Sequence, residues 1–241
     1  MLYGGMFLFL RKKKIIMKYF LTILLILAAT IHCSAQFNFK FRQPSPLKID
    51  FVADSVVDVL SKIFIEKDRV FDSTYNLDKD YDFEFRLWQD GLSNNSQRVF
   101  IMTLKKNKWS AKYFHFNPNW KERGKDLIEV KVDSARLNQL WYLMNIHKVL
   151  SLPNSNELRS RMVEYVIDTV NFEYGYERRL DITDGIGYNF ELLKPNKRRS
   201  YFYSNPETLF KRYPFIEELS DANVLIYMIK RYLGIPLSGY F

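Results

Sequence analysis

The sequence predicts an α+β fold, one or more antiparallel sheets packed against two to four helices. Three observations predict it. Runs of apolar–polar alternation, Tyr81 to Trp88, Arg98 to Lys105 and Trp109 to Phe116, are separated by Asp90-Gly91 with a polar loop and by a Lys106-Asn107 turn, the pattern of an antiparallel meander. A second pair of strands follows, in which Ile186, Tyr188, Phe190 and Leu192 share one face and Tyr201 and Tyr203 share a face of the next strand. Behind each group stands a capped stretch of helical spacing. Hydrophobic residues at 47% and aromatics at 17% supply a sizeable core for one large domain or two small ones.

Residues 1–35 stand apart from the fold. Tyr19 to Ile31 is a mostly apolar run preceded by Lys18 and Arg11-Lys12-Lys13-Lys14, a positive region and an apolar region of signal-peptide length. Cys33-Ser34-Ala35-Gln36 places small residues at −3 and −1 of a cleavage site after Ala35, so the expectation is an exported protein beginning at Gln36, in the periplasm, the cell envelope or outside. A lipoprotein acylated at Cys33 is the competing reading, but His32 stands where a lipobox has a small residue. Met17-Lys18 also reads as a start, which places 1–16 upstream of it. Membrane attachment is expected only through an uncleaved leader or Cys33.

Without the leader, the formal charge of +9 falls to +4, because five basic and no acidic residues precede Gln36. That mild balance gives no footprint for a nucleic-acid partner. Cys33 is the only cysteine, so a chain from Gln36 has no disulfide, cysteine nucleophile or thiolate metal site.

Along the chain, 36–53 reads as an N-terminal strand or tail, 54–150 as a first α+β half and 151–241 as a second, the two being separate or continuous. Phe37 to Arg42 alternates and ends at Pro44-Ser45-Pro46. Asp54-Ser55 caps a helix predicted to about Glu66, with Val56, Val59, Leu60 and Ile63 on one face. After the meander, Asp126 to Val132 adds a strand, and Asp133-Ser134 caps a helix carrying Leu137, Leu140, Trp141 and Met144. Leu152 to Asn156 is the linker candidate, and Val163 to Val170 and Phe172 to Tyr176 are β-prone. Asn205-Pro206-Glu207 starts a helix, and Ser220-Asp221 caps a last one through Val224, Leu225, Met228, Ile229 and Tyr232 to Gly234.

The two halves share an order of features at spacings of 87 to 94 residues: Arg86-Leu87 and Arg179-Leu180, Leu104 to Lys108 and Leu193 to Lys197, Tyr113 to Pro118 and Tyr201 to Pro206, and the Asp133 and Ser220 helices. This suggests a tandem duplication of a hairpin-plus-helix unit. Similar turns attracting similar residues is the other explanation.

His115 and His147 are the histidines beyond the leader, and without a His-x-x-x-His pattern no zinc site is expected. Serine-hydrolase elbows, P-loops and dinucleotide fingerprints are missing. Asp78-Lys79-Asp80-Tyr81-Asp82 alternates like a calcium loop but has Phe83 and Gln89 where glycine and glutamate belong. No cofactor or metal is expected. Asp181, Asp184 and Glu191 can be read as an acid–base cluster, against which Asp184-Gly185 reads as a turn and Glu191 as a solvated strand residue. The basic tips at Lys105 to Lys108 and at Lys194, Lys197, Arg198 and Arg199, with Tyr201 and Tyr203, offer an interaction surface; solubility and core packing explain the same residues. Asp54-Ser55-Val56, Asp72-Ser73-Thr74, Asp133-Ser134-Ala135 and Asp168-Thr169-Val170 fit a short bacterial O-glycosylation pattern. Tyr240-Phe241 resembles the last strand of an outer-membrane barrel, which the capped helices argue against.

Asp184-Gly185 with Tyr188 and Glu191, then Tyr201, Tyr203 and Asn205-Pro206-Glu207, then Tyr213-Pro214 and Ile216-Glu217-Glu218-Leu219, together with the leader ending Ser34-Ala35-Gln36, resemble small exported proteins of Gram-negative bacteria. The resemblance implies export and a fold, without a catalytic residue. The expected function is a non-enzymatic binding or interaction protein of the envelope with a protein or glycan partner; the alternative is a hydrolase of envelope glycan or peptide acting through Asp181, Asp184 and Glu191.

Overall fold

Phe83, Phe85 and Leu87 point to one side of their strand and Glu84, Arg86 and Trp88 to the other, and every one of them is buried. This strand therefore lies between two layers. The computed structural model describes residues 49–54, 59–77, 79–91, 97–116, 127–130, 132–166, 176–178 and 185–234, all within one compact unit, Pro46–Phe241. Helix α1 (Val59–Tyr75) precedes strands β1 (Phe83–Gly91), β2 (Gln97–Lys105), β3 (Lys108–Phe116) and β4 (Leu127–Glu129). Helix α2 (Ser134–Ile146), a 3₁₀ turn (Ser155–Leu158), the short strands β5 (Glu164–Val166) and β6 (Tyr176–Arg178), strands β7 (Ile186–Lys194) and β8 (Lys197–Ser204), and helices α3 (Pro206–Arg212) and α4 (Glu217–Leu233) follow. The main sheet has six strands in the order β4-β3-β2-β1-β7-β8, each pair antiparallel, and β5 and β6 pair separately. With four α-helices among the described residues, the fold is α+β.

The inner face carries Phe85, Leu87, Phe100, Met102, Tyr113, Phe190, Leu192, Tyr201 and Tyr203 into one core with Leu137, Leu140, Trp141 and Met144 of α2 and Leu219, Leu225 and Ile229 of α4. Trp141 wedges between Phe83 and Trp109, at centroid distances of 4.9 and 5.4 Å, and Phe190 stacks on Tyr201 at 4.9 Å. The outer face forms a second cluster, where Phe71 of α1 meets Trp88 and Phe114 edge-on at 5.0 Å.

Local chemistry sets several ends. Lys106 and Asn107 both adopt positive φ (50° and 61°), the geometry of a two-residue hairpin turn, and Asp82 Oδ2 accepts from the Lys106 N–H at 2.6 Å. Asp133 caps α2 by accepting from the Arg136 N–H at 2.7 Å, while Ser134 Oγ accepts from Trp109 N–H at 2.8 Å. Asp133→Ala is expected to cost about 0.5–2 kcal/mol in urea unfolding, as loss of a side-chain cap does. Gly234 ends α4 at φ 63°, as expected of a C-cap glycine.

The structure corrects several expectations. α1 continues to Tyr75 rather than ending near Glu66, while 55–58, where its start was expected, lie outside the described residues. Asp54 instead accepts from the Ser200 N–H at 2.8 Å and donates its own N–H to the Arg198 carbonyl at 3.1 Å, so it lies along β8. α4 begins at Glu217 behind Ile216, leaving Ser220 and Asp221 inside the helix, with Glu217 and Glu218 complementing its positive end. Pro206 opens α3 as expected, but the Asn205 side chain accepts from the Ile186 N–H at 2.8 Å instead of capping the helix. The linker candidate is ordered packing: Leu152 and Leu158 are buried, and Asn154 and Glu157 form a reciprocal cap. The stretches 37–42, 167–175 and 235–241 lie outside the described residues.

The duplication fails on handedness. β2 and β7 are both antiparallel to β1 and flank it on opposite sides, so they run parallel to each other while β3 and β8 extend the sheet in opposite directions. Yet α2 and α4 pack into one core on the same face. The two hairpin-plus-helix units are therefore of opposite hand, and no rotation superposes them in the same strand order. The shared turn residues reflect turn chemistry.

Candidate functional site

The outer face of β1, β7 and β8 holds a charge network beneath α1. β1 contributes Glu84 and Arg86, and antiparallel register sets Glu191 of β7 directly opposite Arg86 and Asn189 opposite Trp88. Thr103 of β2 stands opposite Glu84. Asp68 and Asp72, one turn apart on α1, reach down from above. Arg86, 2% exposed, pairs with Glu84 at 2.7 Å, Asp72 at 2.8 Å and Asp68 at 3.1 Å. Glu84 also accepts from the Thr103 hydroxyl at 2.9 Å. Glu191, 0% exposed, accepts from Trp88 Nε1–H at 2.9 Å, from the Asn189 amide at 3.0 Å and from Arg198, which also pairs with Asp68 at 2.7 Å. At the rim, Lys67 pairs with Asp90 at 2.8 Å and lies over the Trp88 ring.

Four carboxylates face two guanidinium groups, and the protonation pattern follows from that imbalance. Burial pushes Glu191 up to about 8, reinforced by Asp68 and opposed by Arg198 and Arg86. Burial likewise raises Glu84 and Asp72, with Arg86 pulling the other way. Burial works against the charge of Arg86, but Glu84, Asp68 and Asp72 outweigh it and hold its pKa above the usual value. The network thus keeps a permanently charged Arg86 and a proton on the Glu191 side.

A raised carboxylate weakens the fold as it ionises. Between its ordinary value of 4.5 and about 8, folded Glu191 binds a proton that the unfolded chain has released, so stability falls as pH rises through that window. Urea midpoints are expected to decline from pH 5 to pH 8, and Glu191→Gln is expected to flatten that slope. A slope unaltered in the variant would place the titration elsewhere.

The expected site residues land as follows. Asp181 and Asp184 lie outside the described residues, so Glu191 is described without them. Glu191 itself is sealed rather than solvated, because α1 covers its face. Tyr201 and Tyr203 point into the inner core, and the Tyr201 hydroxyl donates to the Val149 carbonyl at 2.8 Å, so they form no aromatic binding face. The basic side chains of the β7–β8 hairpin hold the chain's own residues: Lys194 the Ile49 carbonyl, Lys197 Asp50 at 2.8 Å, Arg198 Asp68 and Glu191, and Arg199 the Leu152 carbonyl at 2.9 Å. In the other tip, Lys105 pairs with Asp80 at 2.9 Å. His147 Nδ1 lies 2.9 Å from Asp221, and His115 is exposed on β3.

The sequence does not reveal Asp68, Asp72, Glu84 and Arg86 as one cluster; there Arg86 figures only in the suggested duplication and Asp72 only in a glycosylation pattern. Outward charges in an alternating strand signal solvent unless something covers them. The available signal was the i, i+4 pair Asp68–Asp72 on the same helix as Phe71, a helix with both an apolar and an acidic reason to lie on the sheet.

Among the described residues no helix is long and apolar enough to cross a membrane, and no group of three or more His, Cys, Asp or Glu side chains is placed to hold a metal ion. No protein-family model, curated protein or solved structure matches the chain.

Proposed function

We propose that the protein is an exported, non-enzymatic binding or interaction protein of the bacterial envelope whose partner is a protein or a glycan. The observation that carries this reading is the sealing of the charge network: its most perturbed acid, Glu191, is 0% exposed and held by Arg198, Trp88 and Asn189. General acid–base chemistry needs a group within hydrogen-bond reach of substrate, and this one is reached only by its own fold. The leader sequence supports export. Both broad faces of the sheet's centre lie under helices, so contact falls to the exposed side of the helix layer, where Tyr142, Ile146, Phe215 and Tyr227 stand outward.

The hydrolase reading keeps one supporting observation, the raised pKa of Glu191. It requires α1 to lift. Envelope cross-linking of the wild-type protein and of Glu191→Gln separates the two: a binding protein captures the same partner in both, whereas a hydrolase loses turnover of envelope glycan or peptide in the variant. N-terminal mass spectrometry tests export, with Gln36 as the expected first residue; a chain that retains Lys18 contradicts cleavage.

A further inference from the structure

We propose that Gln89 and Arg98, at one end of the sheet's inner face, bind a small hydroxy-carboxylate, free or as the uronic-acid unit of a glycan. The inference rests on the reading of the protein as a binding protein and names a site and ligand class for it. Phe100, Leu87 and Phe190 form one apolar row across β2, β1 and β7. Two residues along, the corresponding row is Arg98, Gln89 and Tyr188, polar side chains turned towards the same core. Gln89 is only 4% exposed, and its Oε1 has no hydrogen-bond partner. Arg98 is half-buried, and its Nε and Nη1 are closed to water and equally unpartnered. No carboxylate among the described residues pairs with it.

A buried donor or acceptor left unmade is destabilising, more so when charged, so two such residues side by side call for a common partner. Gln89 and Arg98 are directly opposed, with Cβ atoms about 4.5–5.5 Å apart, so the amide and the guanidinium can meet one small ligand. The sign of the charge selects the ligand. Arg98 acts on Lys230 of α4, whose pKa is lowered first by burial and then by Arg98, with Glu207 opposing, so two cations share this corner. Glu207 is itself paired with Lys211 at 2.8 Å. Gln89 Oε1 is an acceptor, and an O–H beside the carboxylate of the anion would satisfy it. His115, which stands opposite Arg98 on β3, is exposed.

The test is NMR titration of the full chain with glucuronate, lactate, propionate, glucose and inorganic phosphate. Saturable shifts at Gln89, Arg98 and Lys230 are expected with glucuronate, and with lactate if the free hydroxy acid suffices. Propionate and glucose, which lack the hydroxyl and the carboxylate respectively, are expected to bind about tenfold more weakly or less, the worth of one charged hydrogen bond. Gln89→Leu and Arg98→Met are each expected to weaken glucuronate binding by about tenfold or more without lowering Tm, since each removes an unpartnered buried group. Absence of saturable shifts with both hydroxy acids, equal shifts with phosphate, or unchanged binding in both variants overturns the proposal. If Arg98→Met still captures the envelope partner while hydroxy acids fail to bind, the site falls and the binding-protein reading stands.

Discussion

Replacing Arg86 with methionine is expected to remove about 3–5 kcal/mol of stability, the cost of stranding buried charge. Glu84, Asp72 and Asp68 all lie within 3.1 Å of its guanidinium, and burial already raises the first two. Without Arg86 these carboxyls must take up protons or admit water beneath α1. Urea unfolding at pH 7 measures the loss. Adding Glu84→Gln and Asp72→Asn to Arg86→Met is expected to recover part of it, because the neutral amides leave less charge to bury. If the triple variant is as unstable as Arg86→Met, packing rather than charge is responsible.

Trp141→Ala is expected to cost a comparable 3–5 kcal/mol for a different reason, a cavity at the centre of the inner core. Trp141 is 1% exposed and touches Phe83, Phe85 and Trp109, so its removal loosens α2 from β1 and β3 together. The neighbouring Tyr142→Ala, on the exposed side of α2, is expected to change stability by about 0.5 kcal/mol or less. Equal losses at the two positions would contradict the assigned orientation of α2.

These two sites also show what a sequence discloses. Trp141 was legible, because Leu137, Leu140, Trp141 and Met144 repeat at helical spacing behind the Asp133 cap, and such periodicity is local. The meander was legible for the same reason. Arg86 was not: alternation says which residues share a face, and it is silent on whether another element covers that face. Its cover, α1, was itself misread, since Glu66, Lys67, Asp68 and Arg69 look like the charged end of a helix that in fact continues to Tyr75. Gln89 and Arg98 became neighbours only through the register of β1 and β2, a non-local fact. The supposed duplication failed similarly, because residue likeness carries no information on which side of β1 a hairpin joins the sheet.

The charges on the outer sheet face fasten α1 to the sheet through Arg86 and Arg198. Amide hydrogen exchange tests this fastening most directly. The helical amides from Lys67 to Tyr75 are expected to exchange as slowly as those of β1 and β7, opening only with the whole sheet. Rapid exchange of these amides while β1 and β7 stay protected would contradict the claim. It would show α1 lifting from the folded protein, and would return Glu191 to the solvent as a working acid.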